Sequence, residues 1–226
     1  MLKTWKTFDS SDALGEADVH VILLDVNDFM GQLSAYQLFL NEEELIKNQH
    51  AHFIIARGIL RQLLAYYLKC HPKELVFEYE KKGKPSLKNN DLLFNLSHAH
   101  QKIIYVFSKK RKVGVDVEFK KREVNFLKIA ERFFSLSESQ YLKNLPSAQL
   151  LDMFYRLWTY KEAYVKALGQ GISSFQDFSI DVKKNPLDIN HFRLSEFFFA
   201  EEYQAAVAIE KNIPCNILFF KLNQDL

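Results

Sequence analysis

The chain has 226 residues and a formal net charge of +2, with 48% hydrophobic and 14% aromatic residues. This composition can fill the core of one large domain or two small ones, and it indicates neither disorder nor general nucleic-acid binding. Cys70 and Cys215 are the two cysteines, which excludes a cysteine-rich zinc module and is typical of a reducing compartment. Since the N-terminus has no apolar signal core and no run approaches transmembrane length, we expect a soluble, cytoplasmic protein that does not enter a membrane.

The first part of the chain predicts strands and one long helix. Four short runs have the length and residue types of strands, at residues 19–24, 75–79, 92–96 and 103–107. Apolar residues recur at helical spacing over residues 42–69. The basic run 109–112 predicts a solvated hairpin turn.

Polar residues of this first part are candidate ligand contacts. Arg57 and Arg61 share one face of the predicted helix, where they would either form a solvated basic face or hold phosphate groups. Lys84 lies in a turn predicted by its Gly and Pro neighbours, where a lysine is usually only solvated. Residues 97–100 (SHAH) suit a polar loop at a strand end. A metal site at His98 and His100 is the alternative, but no third ligand is evident nearby.

Residues 113–119 (VGVDVEF) alternate with a period of two, which predicts a strand with two distinct faces. Asp116 and Glu118 project from one face, beside Gly114, which we expect to leave room for a ligand. An exposed strand face is the simple interpretation. The sharper one is a site for a hard cation, because Mg²⁺ prefers carboxylate and water oxygens and takes its other ligands from substrate phosphates.

The second part of the chain repeats the order of strand, helices and strands. Helices are predicted at residues 124–133, from Ser137, where SESQ fits a capping box, and at 148–168. Strands are predicted at residues 178–182, 192–199, 205–210 and 217–222. This repeated order of elements predicts two α+β halves, residues 1–110 and 111–226, which meet near the basic run.

The end of the long helix carries an unusual set of polar residues. Glu162 and Lys166 are four residues apart and lie on one helical face, with Trp158 one turn earlier. A surface Glu–Lys pair is the simple interpretation. Together with Asp116 and Glu118, however, the three carboxylates and the lysine match magnesium-assisted phosphoryl chemistry. The residues alone therefore indicate a magnesium-dependent enzyme that acts on a phosphate ester or anhydride.

Two motifs extend this interpretation. Residues 113–118 (VGVDVE) and 158–167 (WTYKEAYVKA), in this order and at this separation, resemble the signatures of the 4'-phosphopantetheinyl transferases, specifically the long, Sfp-type branch. Residues 83–85 (GKP) and 95–98 (NLSH) are further matches. The resemblance implies a monomer with the 4'-phosphopantetheinyl transferase fold, in which two similar α+β halves related by a pseudo-twofold axis hold coenzyme A in the cleft between them.

The resemblance also implies a reaction. A serine hydroxyl of an apo acyl or peptidyl carrier protein attacks the β-phosphate of coenzyme A, and 3',5'-ADP leaves. Asp116, Glu118 and Glu162 would bind Mg²⁺, with Mn²⁺ as an alternative, and Glu162 would also act as the general base. Lys166 would hold the pyrophosphate and stabilise the charge that develops during transfer.

The remaining site residues are carried over from the same resemblance. The expected contacts to coenzyme A are Arg57, Lys84, Ser97, His98, Lys166 and His52. His52 stands where relatives often have an arginine for the 3'-phosphate, and a histidine is mostly neutral at pH 7. Trp158 and Lys161 are expected to be structural. The competing functions are a non-catalytic module that binds coenzyme A or a nucleotide, and a magnesium phosphotransferase of another fold.

Overall fold

The computed structural model describes residues 4–9, 11–80, 82–88, 90, 92–121, 123–211 and 214–224. Its helices are α1 (Val26–Phe29), α2 (Leu33–Gln37), α3 (Glu42–Lys47), α4 (Ala51–Leu68), α5 (Phe126–Phe133), α6 (Leu136–Lys143) and α7 (Ser147–Ala167). Its strands are β1 (Trp5–Thr7), β2 (Asp18–Asp25), β3 (Phe77–Tyr79), β4 (Pro85–Leu87), β5 (Leu93–Ala99), β6 (Lys102–Ser108), β7 (Val113–Phe119), β8 (Leu187–Ile189), β9 (Phe192–Phe197), β10 (Tyr203–Glu210) and β11 (Asn216–Lys221). The predicted α+β class is confirmed.

Two sheets carry the structure. The larger one has the strand order β1-β11-β2-β6-β5, and β11 runs parallel to both β1 and β2. The smaller one has the order β7-β10-β9-β8 and is antiparallel throughout. Strands β3 and β4 form a separate antiparallel hairpin. Strand β11 follows the four-stranded sheet along the chain but pairs within the five-stranded one, so this strand does not follow the predicted boundary at residue 110.

Apolar side chains form three layers. Helix α4 packs its Ile55 and Ile59 with Tyr105 on one side of the five-stranded sheet. Helix α7 packs on the outer side of the four-stranded sheet, where Ala163 is fully buried. Between the two sheets lies a third layer of mostly branched side chains, among them Val21 of β2 and Val115 of β7. Burial on both faces explains why strands such as β2 and β6 read as continuous apolar runs.

Strands β5 and β7 join the two sheets. The side-chain oxygen of Asn95 accepts a hydrogen bond from the backbone N–H of Val115 at 3.0 Å, and Ser97 Oγ accepts one from Val117 N–H at 3.4 Å. Side chains of one sheet edge thereby satisfy backbone donors of the other, which would otherwise be buried without a partner. The seam places residues of β5 directly beside the carboxylates of β7.

Several local predictions in the first half need correction. The helix predicted over residues 42–69 is two helices, since α4 starts anew at Ala51 after α3 ends at Lys47. Residues 97–99 belong to β5 and are not a loop, because the β5–β6 pairing continues to Ala99. The run 109–112 connects two different sheets and is not a hairpin turn. Arg111 within it is 1% exposed and donates from Nη2 to the carbonyl of Pro214 at 3.1 Å.

Two corrections fall in the second half. The capping box of α6 uses Ser135 and Glu138, not Ser137, because the Glu138 carboxylate reaches back to the N–H of Ser135 at 2.9 Å. Residues 178–182 form no strand, although their apolar content resembles one. The segment crosses α6 and α7 instead: Glu138 accepts from Ile180 N–H at 2.8 Å, and the Phe178 carbonyl accepts from Lys161 at 2.8 Å.

Candidate active site

The candidate site lies where strand β7 crosses helix α7. A Cβ atom on Gly114 would lie 2.1 Å from the carbonyl oxygen of Ala163 and 2.4 Å from the backbone nitrogen of Ala167. Only glycine permits two backbones to approach this closely. The expectation that Gly114 leaves room for a ligand is therefore wrong, because the backbone of α7 fills that space. The close approach instead brings Asp116 next to Lys166.

Asp116, Ser97 and Lys166 form a hydrogen-bonded cluster at this crossing. Lys166 Nζ donates to Asp116 Oδ1 at 2.6 Å and to Ser97 Oγ at 3.0 Å, and Ser97 Oγ donates to the same carboxylate oxygen at 2.9 Å. Burial disfavours the charged ammonium, but the attraction of Asp116 and Glu162 outweighs this effect and raises the pKa of Lys166. Lys166 is therefore cationic at neutral pH.

Glu118 and Glu162 add two further carboxyl groups beside Asp116. Burial, followed by repulsion from Asp116, raises the pKa of Glu118 to about 7. The same two causes raise the pKa of Glu162 to about 7. Ionisation of all three carboxyls would leave more negative charge than Lys166 neutralises. An additional cation would stabilise such an environment.

The donor set suits a hard cation. Within the described ranges, no group of three or more His, Cys, Asp or Glu side chains is arranged to hold a metal ion. Asp116, Glu118 and Glu162 nevertheless supply the carboxylate oxygens that Mg²⁺ prefers. The buried Oδ2 atom of Asp116 also lacks a hydrogen-bond partner among the described residues, which is costly unless another group binds it. The chemistry of the site therefore fits magnesium, and ligation by these three residues stays a prediction.

Trp158 and Lys161, both expected to be structural, occupy different surroundings. Lys161 is fully buried, and its Nζ donates to both carboxylate oxygens of Glu138, at 3.0 and 2.8 Å, which ties α7 to α6. Trp158 instead donates from Nε1 to Oε1 of Glu118 at 3.2 Å and so adjoins the candidate metal site. Local spacing gave no signal of this contact, because the two residues are 40 positions apart.

Lys84 contacts the end of helix α7. Its Nζ donates to the carbonyl oxygen of Lys166 at 2.7 Å, across the predicted boundary at residue 110. Burial lowers the pKa of Lys84, and the carbonyl groups at a helix C-terminus favour a positive charge. The structure therefore places Lys84 at the C-terminal end of α7, beside the backbone of Lys166.

His98, His52 and Arg57 line a neighbouring cavity of about 360 Å³. Burial and then the positive charge of Lys166 lower the pKa of His98, which directly follows Ser97 of the cluster on β5. Arg57 is already engaged: its Nε lies 3.3 Å from Glu44 Oε1 and its Nη2 donates to the Tyr79 hydroxyl at 3.1 Å. Its buried Nη1 has no partner among the residues that the structure describes, so one donor remains for a ligand.

Arg61 does not join this group. Its side chain is 2% exposed, its Nη2 lies 2.8 Å from Glu44 Oε2, and its Nη1 donates to the carbonyls of Pro72 and Leu75 at 2.8 and 3.0 Å. The predicted face of two solvated or phosphate-binding arginines is therefore wrong for Arg61, which ties α4 to the segment before β3.

Comparison with known proteins identifies the family. The profile of the 4'-phosphopantetheinyl transferase superfamily matches residues 112–217, a range that contains both motifs. The 4'-phosphopantetheinyl transferase HetI of Nostoc sp. is 32% identical over 188 residues, which cover 78% of this chain and 79% of HetI. The chain belongs to the 4'-phosphopantetheinyl transferase superfamily. Its resemblance to that family, predicted from the two motifs, is confirmed.

Other relatives carry the same name. The 4'-phosphopantetheinyl transferase AcpT of Escherichia coli (strain K12) is 34% identical over 142 residues, 62% of this chain and 70% of AcpT. The 4'-phosphopantetheinyl transferase Sfp of Bacillus subtilis (strain 168) is 31% identical over 127 residues, 55% of each chain. This phosphopantetheinyl transferase is an enzyme, as predicted. None of the helices in the described part of the chain has the length and hydrophobicity needed to cross a membrane.

Proposed function

We propose that this phosphopantetheinyl transferase moves the 4'-phosphopantetheine group of coenzyme A to a serine of an apo acyl or peptidyl carrier protein, releases 3',5'-ADP, and depends on Mg²⁺. The observation that carries the proposal is the cluster at the β7–α7 crossing, where Lys166 is bound to the buried Asp116 with Glu118 and Glu162 beside it. Magnesium held by the three carboxylates would neutralise phosphate charge. Because both sheets of one chain build the site, we propose that the enzyme acts as a monomer.

The protein's own side chains account for the proton and charge movements. In the metal-free site, burial and the charge of Asp116 raise the pKa of Glu162 to about 7. A bound cation would favour its ionised form, which is the form that can accept a proton as a general base. Glu162 accepts the proton of the carrier serine while the serine oxygen bonds to the β-phosphorus and the bond from this phosphorus to 3',5'-ADP breaks. Lys166 stays cationic and stabilises the charge on the phosphate oxygens during transfer.

The cavity beside the cluster suits the nucleotide end of coenzyme A. His98 and His52 line it, and Arg57 contributes the remaining donor at Nη1. Ser97 is part of the cluster and suits the phosphates between the cavity and the metal site. Lys84, which binds the backbone carbonyl of Lys166 at the end of α7, is a further proposed contact to coenzyme A. Because Glu44 and Tyr79 already bind Arg57, we propose that His52 and His98 carry much of the contact to the 3'-phosphate.

Intact-mass spectrometry of apo-carrier proteins tests the reaction. Purified enzyme is incubated with coenzyme A, Mg²⁺ and a panel of apo-acyl and apo-peptidyl carriers, and 3',5'-ADP is measured by chromatography. We expect one phosphopantetheine per carrier, an equal amount of 3',5'-ADP, and loss of both on chelation of the metal. Failure of every carrier in the panel to gain mass would overturn the proposal.

A pair of variants tests the assigned base. Glu162→Gln removes the proton acceptor and keeps the shape of the side chain, so we expect the transfer rate to fall by about 10² to 10⁴-fold. Glu196→Gln is the matched control, because Glu196 is an exposed carboxylate on β9 that pairs with Arg156. An unchanged rate in Glu162→Gln would remove Glu162 from the mechanism without affecting the family assignment.

A further inference from the structure

The indole of Trp158 connects the aromatic core of the second half to the candidate metal site. Trp158 lies one helical turn before Glu162 on α7, and its Nε1–H donates to Glu118 Oε1 on β7 at 3.2 Å. The indole Nε1–H can only donate a hydrogen bond, so its partner must be an acceptor such as a carboxylate oxygen. The contact therefore spans the same strand–helix crossing as the ion pair between Asp116 and Lys166.

The ring of Trp158 is held by aromatic neighbours on three elements. Its ring centre lies 5.9 Å from that of Phe154 in a stacked arrangement and 5.4 Å from that of Phe175 in an edge arrangement. Phe133 and Phe134 lie at 6.1 Å each. Aromatic rings packed in this way lose little freedom when they make a further contact, and they resist rotation. The N–H group of Trp158 is therefore fixed in position before any ligand arrives.

The fixed donor determines where one oxygen of Glu118 lies. The Glu118 side chain is flexible and half-buried at the end of β7, where the last two residues of the strand are less buried than the first five. A hydrogen bond to Oε1 restricts its rotamers and leaves Oε2 for another partner. Carboxylates that bind metals are commonly oriented by an outer hydrogen bond of this kind.

We propose that Trp158 is a positioning residue, which holds the Glu118 carboxylate in the orientation needed to bind the divalent cation. The inference rests on the proposed function, since it takes Glu118 as a metal ligand. It assigns a chemical task to a motif residue expected to be only structural. It also explains why that position suits an indole, because a phenylalanine ring has no hydrogen-bond donor.

The test measures metal affinity without turnover. Mn²⁺ is titrated into Trp158→Phe in the presence of saturating coenzyme A and without a carrier protein, and free Mn²⁺ is followed by electron paramagnetic resonance. Loss of an outer-shell partner typically weakens metal binding about 10- to 100-fold, and we expect a weakening in this range. The matched control is Trp5→Phe, which also removes an indole hydrogen bond, to the Phe198 carbonyl at 3.0 Å, and also lies among phenylalanines.

Glu118→Ala separates the inference from the proposed function. If Glu118→Ala and Trp158→Phe both weaken Mn²⁺ binding, and the double variant binds no more weakly than Glu118→Ala alone, the inference is supported. If Glu118→Ala weakens binding but Trp158→Phe behaves like Trp5→Phe, the positioning role is wrong and the metal assignment stands. If Glu118→Ala has no effect, Glu118 is not a ligand, and the proposed metal set and the inference both fail.

A second replacement at position 158 controls for the loss of packing in Trp158→Phe. Phenylalanine is smaller than tryptophan, so Trp158→Phe could disturb the cluster with Phe154 and Phe175. A benzothienylalanine at position 158 keeps the size of the bicyclic ring and replaces the N–H group by sulfur. It is introduced into a Trp5→Phe background. We expect an unchanged melting temperature and the same weakening of Mn²⁺ binding, whereas wild-type affinity in this variant overturns the inference.

Discussion

Gly114→Ala tests whether close contact between β7 and α7 builds the active site. The added methyl carbon would lie 2.1 Å from the Ala163 carbonyl oxygen and 2.4 Å from the Ala167 nitrogen. Since such atoms prefer a separation of about 3.5 Å or more, the strand and the helix must move apart by about 1.4 Å. Both obstructing atoms belong to the helix backbone, so no side chain can rotate away to relieve the clash.

The displacement has a cost in stability and a larger cost in rate. Overpacking of this kind costs about 1 to 3 kcal/mol, and we expect a value near 3 kcal/mol because the clash involves backbone. In a domain of this size each kcal/mol lowers the melting temperature by about 2 to 4 °C. The same movement would lengthen the 2.6 Å contact between Lys166 Nζ and Asp116 Oδ1 beyond hydrogen-bond distance. A misplacement of about 1 Å can reduce the rate about 10²-fold.

Thermal unfolding and the rate of phosphopantetheine transfer are measured on the same preparations. Gly171→Ala is the control, because no heavy atom lies within 4 Å of its added carbon and its backbone is extended, with φ of −120°. We expect this control to stay within about 0.5 kcal/mol of the wild-type protein. A Gly114→Ala enzyme with wild-type stability and rate would refute the claim that this contact sets the geometry of the site.

Three further predictions concern other buried polar groups. Lys161→Met leaves the buried Glu138 without its cation, so we expect a loss of about 3 to 5 kcal/mol in urea unfolding, and wild-type stability would contradict the structural role of the pair. His20 is fully buried, and burial lowers its pKa from 6.5 to about 4. Its unfolded form therefore binds a proton first as the pH falls, and folding stability should drop by about 3 kcal/mol between pH 6.5 and 4 relative to His20→Phe; parallel pH profiles would argue against this. Lys84→Met removes the hydrogen bond to the Lys166 carbonyl and a cation at the end of α7, so the KM for coenzyme A should rise about tenfold while that for the carrier stays unchanged; equal rises in both would contradict a coenzyme contact.

The sequence was sufficient to predict which side chains share one face of a single strand or helix, because that depends only on local periodicity. The alternation over residues 113–119 placed Asp116 and Glu118 on one face of a strand, and the spacing of four placed Glu162 and Lys166 on one face of a helix. Both predictions needed only the geometry of one element. The resemblance of the two motifs to a known family then supplied their juxtaposition, which no local pattern contains.

The errors concern contacts between distant segments. A glycine on a strand leaves space, and only the position of α7 shows that a helix backbone fills the space at Gly114. The local sequence predicts that a basic residue is solvated when its partner lies far away along the chain. Arg111 binds the Pro214 carbonyl and Arg61 binds Glu44, and the local sequence indicates neither partner. Residues 178–182 have strand-like composition because their apolar side chains are covered by helices, and burial alone does not require a sheet.

The position of β11 has a consequence for the order in which the protein can fold during synthesis. Ile217 of β11 pairs with Val19 of β2, which is made roughly 200 residues earlier, and among the strands that the structure describes β1 pairs with β11. The first sheet therefore stays incomplete on the ribosome until residues Asn216–Lys221 of β11 have emerged. Until β11 is made, one edge of strand β2 is unpaired, and an unpaired edge can pair with other chains. We expect this sheet to form only after β11 is made, and chains shortened to lack β11 to aggregate, even though every residue of the candidate site is retained.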